Sequence, residues 1–269
     1  MANKSIISIL IFLFYSGSCN QLRKLLLLLL LLLSNGKKSA SSFKKCDQKQ
    51  ADFNQCLAAA VQDAITQLKE PIPELGLPGL EPLEIPNLNL PAGSGAVLFS
   101  QNYKNFKIFG LTKVNVSKFE FENNTINMEC IFPELRFEFD YNFVGKLLLV
   151  PIRGAGPGNA SLADTKFIIT FHMEEYEKDG KKFLKVVESE VKKLPRLMTV
   201  HLGNLTGEND VLRFGLGNII DINKLINDNW AQLFDEVKNA YQEFYARTFS
   251  VIFNNLLEKV PISELFGEK

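Results

Sequence analysis

Two histidines, His172 and His201, and four cysteines, Cys19, Cys46, Cys56 and Cys130, are the first residues to test for chemistry in this chain. Two histidines cannot build a multi-histidine metal site and no Cys/His spacing fits zinc, so no metal is expected. Nucleophilic catalysis has no better footing. Gly93-Ser94-Gly95 lacks the residues of a nucleophile elbow and reads as a flexible turn at a strand start. Gly154-Ala-Gly-Pro-Gly158 runs into Asn159-Ala-Ser and another strand instead of a helix, which excludes a dinucleotide-binding loop. Acidic pairs such as Glu174-Glu175 and Asp235-Glu236 read as solvated faces. The sequence describes a protein that is not an enzyme and takes no cofactor.

The remaining polar residues point to binding and to an oxidising compartment. Tyr141 lies in an alternating apolar run, and Tyr241 and Tyr245 in a helical one. A tyrosine inside an apolar site finds a partner for its hydroxyl, either a ligand oxygen or the backbone. Cys130 alternates with Ile126, Met128 and Phe132 and reads as a small inward hydrophobe. Cys46 and Cys56 would lie about 15 Å apart on one helix, too far to bridge. If they pair, the chain before about Gln50 folds back on a helix starting there, and the closed loop contributes roughly 2–3 kcal/mol. The alternative is two free thiols. Asn115, Asn123, Asn159 and Asn204 each open a glycosylation sequon.

The N-terminal 40 residues stand apart. Ile6–Tyr15 and Leu25–Leu33 are two apolar runs, each shorter than the roughly 18–20 residues of a membrane span. Arg23-Lys24, the leucine run and the small residues to Ala40 read as a secretory signal; an uncleaved anchor is the alternative. That segment holds five basic residues and no acid, which leaves a net charge of about −5 on the remainder. A weakly acidic body without a basic patch argues against nucleic acid as a partner. Residues 41–269 have no internal repeat and no long linker, and read as a single domain.

What must position the tyrosines is a long helix and a sheet. From Asn218 to Val260 no Gly or Pro intervenes. Ile222, Leu225, Ile226, Leu233, Val237, Tyr241, Phe244 and Val251 recur at helical spacing. Asp221 is a candidate N-cap, Pro261 a stop, and the length would be about 55–60 Å. Trp230, Phe234, Phe249 and Leu256 widen the stripe nearly all round, while interspersed charges argue against a span. Ala51–Leu68 reads as a short helix, and Pro71–Pro86 as an extended strap, neither helix nor central strand. From Gly95 to about Leu205 the period is two. Phe137, Phe139, Tyr141 and Phe143 alternate with polar residues, as do Phe167, Ile169 and Phe171, and Lys185, Val187 and Ser189 mark a further run. Turn signals fall at 122–125, 153–159 and 177–180. The pattern is an antiparallel meander with one Phe-rich face. The chain is therefore expected to be α+β, with the sheet curled round the helix, enclosing either a tunnel or a filled core.

Several motifs in order across Lys45–Lys269 carry a resemblance. These are Cys46…Cys56 before the first helix, Ile72-Pro-Glu-Leu-Gly-Leu-Pro-Gly-Leu-Glu-Pro-Leu-Glu-Ile-Pro, and Phe109-Gly-Leu. Leu149-Val-Pro-Ile-Arg-Gly-Ala-Gly, Leu202-Gly-Asn-Leu-Thr-Gly, Leu225-Ile-Asn-Asp-Asn-Trp and Pro261-Ile-Ser-Glu-Leu-Phe follow. The chain resembles the takeout and juvenile-hormone-binding proteins of insects, the takeout branch more closely, because Cys130 has no partner for a second bridge. The resemblance implies a tubular lipid-binding fold and a secreted carrier, in haemolymph or another extracellular fluid, of an elongated apolar ligand such as a terpenoid or fatty acid derivative. The expected lining is Phe139, Tyr141, Phe143, Phe167, Ile169, Phe171, Trp230, Phe234, Tyr241 and Phe244. A protein-interaction or membrane-tethered module of the same fold, with transient membrane or receptor contact, is the alternative.

Overall fold

The computed structural model describes residues 43–205 and 221–266. All of them belong to one compact unit, residues 40–269. The apolar runs of residues 1–40, with Cys19, and the predicted helix start at 218–220 lie outside the described residues. Helix α1 (Phe53–Gln67) leads to eight strands. They are β1 (Leu83–Leu90), β2 (Val97–Leu98), β3 (Gln101–Phe109), β4 (Asn115–Glu122), β5 (Thr125–Leu147), β6 (Val150–Lys178), β7 (Lys181–Leu194) and β8 (Leu197–Leu202). Helices α2 (Ile222–Asp228), α3 (Trp230–Leu257) and α4 (Ile262–Leu265) follow.

The spine is the antiparallel pair β5–β6, in register from Thr125↔His172 to Leu147↔Val150. Its flanks change along its length: β4 and then β3 pair with β5, while β7 and β8 pair with β6. Alternation along β5 buries Phe137, Phe139, Tyr141 and Phe143 and exposes Glu138, Asp140 and Asn142, as the period predicts. Cys46 and Cys56 form a disulfide, Cα atoms 5.8 Å apart, with Cys46 in the chain that precedes α1.

Three sequence expectations need correction. The glycines of 153–159 do not form a turn; they lie inside β6. Gly154, Gly156 and Gly158 stand opposite Phe143, Tyr141 and Phe139, and a β-carbon at Gly158 would overlap the Phe139 ring. Glycine there makes room for large neighbours across the strand pair. The turn is instead Leu148-Leu149, both at positive φ. The proline-rich segment is only partly a strap. Pro73–Leu75 is a 3₁₀ turn and Leu83–Leu90 is a strand whose one partner is β3, an edge position that tolerates Pro86. The long helix is broken at Asn229, whose amide donates to the Leu225 carbonyl at 2.8 Å and competes with the helical ladder. Asp221 does cap α2, accepting from Lys224 N at 3.0 Å.

Helix α3, about 42 Å long by its 28 residues, lies against the inner face of the sheet. Asparagines fasten the helices to strand edges. The Asn254 carboxamide accepts from Val186 N at 2.8 Å and donates to Val186 O at 3.2 Å on β7. Asn227 and Asn223 treat Val200 and Leu202 of β8 the same way. Each carboxamide replaces a neighbouring strand, so the edge N–H and C=O groups are satisfied. The helix is not covered all round: Glu243, Arg247 and Val251, at four-residue steps, form a solvent line, and Val251 is 61% exposed.

Candidate functional site

Between the sheet and α3 lie two cavities, end to end along the helix. The first, of about 210 Å³, is bounded by the C-terminal half of α3 (Phe249, Ile252, Phe253, Leu256), by α1 (Val61, Ala64, Ile65) with Leu68 just after it, and by the sheet. Every residue lining it is apolar. Cys130 is part of that wall, and burial pushes its thiol up to about 12, so it serves as a hydrophobe and not as a nucleophile. The second, of about 120 Å³, is bounded by the N-terminal half of α3 (Leu233, Phe234, Val237, Tyr241, Tyr245) and the sheet at Phe99, Phe137, Phe139 and Phe143. Both exceed the space one water needs, roughly 10–15 Å³.

Phe167 stands between them. It is wholly buried and lines neither cavity, yet its ring meets Phe132 and Phe249 of the first wall and Tyr245 of the second. The described residues thus enclose two chambers with an aromatic partition, not one open lumen.

Of the residues singled out from the sequence, Ile169 and Phe171 line the first chamber, and Phe139, Phe143, Phe234 and Tyr241 the second. Tyr141, Phe167, Trp230 and Phe244 line neither. Tyr141 is buried with its hydroxyl donating to the Gly203 carbonyl at 2.6 Å, so its partner is backbone. Trp230 is half-buried at the start of α3, and Phe244 packs edge-on against Phe106.

The second chamber also holds polar residues, of which sequence reasoning named Tyr241 and Tyr245 and passed over Gln101, Tyr103 and Lys193. The Tyr103 and Tyr241 hydroxyls lie 3.0 and 2.8 Å from the Gln101 carboxamide oxygen and 2.7 Å from each other, three hydrogen-bond contacts that share two hydroxyl protons. Burial raises both tyrosines, Tyr241 to about 12, so they stay protonated. Gln101 Nε2 is buried with no acceptor. Lys193 sits on the inward face of β7, 5% exposed, its Nζ 4.9 to 5.7 Å from the ring centres of Tyr245, Tyr241, Phe137 and Phe234. It makes no ion pair or hydrogen bond among the described residues, and burial lowers its ammonium to about 7. Strict alternation from the inward Val186 would have turned it outward; a bulge in the β6–β7 register leaves Val187 outside, 49% exposed, and shifts the inward positions to Val191 and Lys193.

Among the described residues no group of three or more His, Cys, Asp or Glu gathers to hold a metal, and no helix is long and apolar enough to cross a membrane.

Comparison with known proteins agrees with this geometry. The profile of the family described as haemolymph juvenile hormone binding protein (JHBP) matches residues 25–267. The circadian clock-controlled protein daywake of Drosophila melanogaster is 25% identical over 224 residues, covering 80% of this chain and 84% of that protein. Its Drosophila yakuba counterpart is 24% identical over 240 residues, with 84% and 87% covered. The crystal structure of Epiphyas postvittana Takeout 1 superposes with a TM-score of 0.71 at 20% identity, covering 84% of this chain and all of that one, and has the same fold.

Proposed function

The chain belongs to the haemolymph juvenile hormone binding protein family, a family of binding proteins and not of enzymes, and on that premise we propose that it is a secreted carrier of an elongated hydrophobic small molecule. The observation that carries the reading is the pair of apolar chambers between the sheet and α3. A folded chain with a filled core has no use for two such spaces; each leaves lining side chains without contacts that a ligand restores. Binding is driven by apolar burial, roughly 25 cal/mol per Å². Terpenoids such as juvenile hormone and fatty acid derivatives fit walls of this kind. Ile169 and Phe171 offer contacts to a ligand in the first chamber, and Phe139, Phe143, Phe234 and Tyr241 in the second.

The carrier works outside the cell, in haemolymph or another extracellular fluid, after removal of residues 1–40; residues 41–269 are the single ligand-binding domain. Three features support this placement. The first is the secretory pattern of the leader. The second is the Cys46–Cys56 disulfide, which suits an oxidising compartment. The third is that Asn115, Asn123, Asn159 and Asn204 are all exposed, as glycosylation requires.

Native mass spectrometry of the protein secreted from insect cells tests both parts. The expected spectrum shows a mature N-terminus near residue 41, glycan heterogeneity, and either a bound apolar molecule or uptake of terpenoid and fatty-acid probes. A bare protein that takes up none of them refutes the carrier.

A further inference from the structure

Lys193 is an anomaly in the inner face. Every other residue that β7 turns inward to full burial is apolar: Leu184, Val186 and Val191. A buried cation ordinarily has a carboxylate beside it. The groups around this one are Phe137 on β5, its cross-strand neighbour Phe167 on β6, and Phe234, Tyr241 and Tyr245 on α3. No acid is among them.

The neighbouring polar groups have the same imbalance. The Tyr103 and Tyr241 hydroxyls share their two protons between each other and Gln101 Oε1, and the two N–H bonds of Gln101 Nε2 are buried without an acceptor. Tyr245, which also lines the chamber, hydrogen-bonds nothing among the described residues. Donors from β3, β7 and α3 therefore converge on one small chamber whose walls are otherwise apolar, and its lining holds no carboxylate to accept from them. Burying one donor without a partner is costly, and three at one place call for a shared acceptor. The acceptor must carry negative charge to match the ammonium, and an apolar tail to match the walls. A fatty-acid-like head does both, with two oxygens for the donors and a hydrocarbon chain along α3.

We propose that the second chamber is a headgroup site for the carboxylate of a long-chain monocarboxylic acid, with Lys193 as counter-ion and Gln101 Nε2 and the Tyr245 hydroxyl as further donors. The inference rests on the carrier reading and narrows its ligand class from any apolar molecule to an acid. The four rings about Nζ hold the ammonium in place while the chamber is empty, and the carboxylate completes its coordination. No bond is made or broken.

The test compares oleic acid with methyl oleate, identical in chain and different in charge, by displacement of the neutral fluorophore N-phenyl-1-naphthylamine from the secreted protein at about pH 6, where lysine is charged. The acid is expected to bind roughly 10- to 100-fold more tightly than the ester, the range of a charge-assisted hydrogen bond. In K193M the ratio of acid to ester affinity falls to about one, and K193R keeps most of it. Should K193M not fold, Q101L serves: it lowers the ratio of acid to ester affinity. Equal binding of acid and ester by the wild-type protein overturns the headgroup site and leaves the carrier standing. So does an acid preference that survives K193M or Q101L intact. Failure of the fluorophore and both probes to bind overturns the carrier itself.

Discussion

Replacing Lys193 by methionine should stabilise the ligand-free protein in mild acid, and the gain should vanish as the pH rises. The reasoning is linkage. In the unfolded chain the lysine titrates near 10.4. In the fold, burial brings it down to about 7. Below pH 7 both states are protonated, and the folded state bears the full desolvation of a buried ammonium. Between about 7 and 10.4 the unfolded chain binds more protons than the folded one, so wild-type stability climbs with pH. Above 10.4 both are neutral and the penalty is gone. At 1.36 kcal/mol per pH unit the gap between the two values is an upper figure of roughly 4–5 kcal/mol. Contact with the rings of Tyr245, Tyr241, Phe137 and Phe234 returns about 0.5–2 kcal/mol of it. About 2–4 kcal/mol remains as the advantage of K193M near pH 6. In a domain of this size it amounts to roughly 5–15 °C in Tm. Methionine is close to lysine in length and keeps the packing, so no cavity term confuses the comparison. The assay is denaturant unfolding of delipidated wild type and variant at several pH values from about 6 to 10. Only the difference between the two proteins is read, because surface carboxylates and lysines titrate alike in both. A difference that stays constant across that window refutes the argument. So does a wild type more stable than K193M in acid, since Lys193 would then have an anion of the protein's own beside it.

Phe167→Ala should remove the partition, merging the two chambers at a cost of about 3–5 kcal/mol for a fully buried phenylalanine. Longer-chain probes should then gain affinity over shorter ones by displacement, and an unchanged length preference would refute the partition. Asn254→Ala deprives Val186 of both its edge partners, so unfolding should cost about 1–3 kcal/mol less and the Val186 amide should exchange faster with deuterium. Cys130 should stay unmodified by iodoacetamide in the native protein at mildly alkaline pH and react only on unfolding, because burial holds it as the thiol; rapid native labelling would contradict its place in the chamber wall.

The layers of this fold were legible because periodicity reports burial directly. Phe137 to Phe143 alternate with charged and amide neighbours, and a strand with one dry face gives no other pattern. The apolar stripe of residues 222–256 is likewise the imprint of one sheet on a helix. Where the reading failed, a residue type had two physical uses. Glycine at 154, 156 and 158 looked like a turn because glycine frees the backbone, but here its value is the missing side chain opposite Phe143, Tyr141 and Phe139. Asn229 looked like one more helical residue, and its amide instead ends α2. The asparagines at 223, 227 and 254 left no sign of their role, because a carboxamide that closes a strand edge is identical in sequence to one in water.

The candidate site divides along the same line. Its apolar walls belong to the periodic pattern, so Phe139, Phe143, Ile169 and Phe171 could be named in advance. Of its polar end only Tyr241 and Tyr245 could. Gln101 opens a strand and Lys193 follows Lys192 in a run of charges. Each has an ordinary surface or core explanation by itself. Only the bulge at Val187 turns Lys193 inward, and only the seat of α3 on β7, fixed by the Asn254 clamp, carries the two tyrosines to it. An alternating strand tolerates a lysine on its dry face only if something returns the cost of burying it. Four aromatic rings return part; the rest is left for what fills the chamber. On the proposed reading the ligand's charge answers Lys193, the one charged residue fully buried among those described, and its length answers the partition at Phe167.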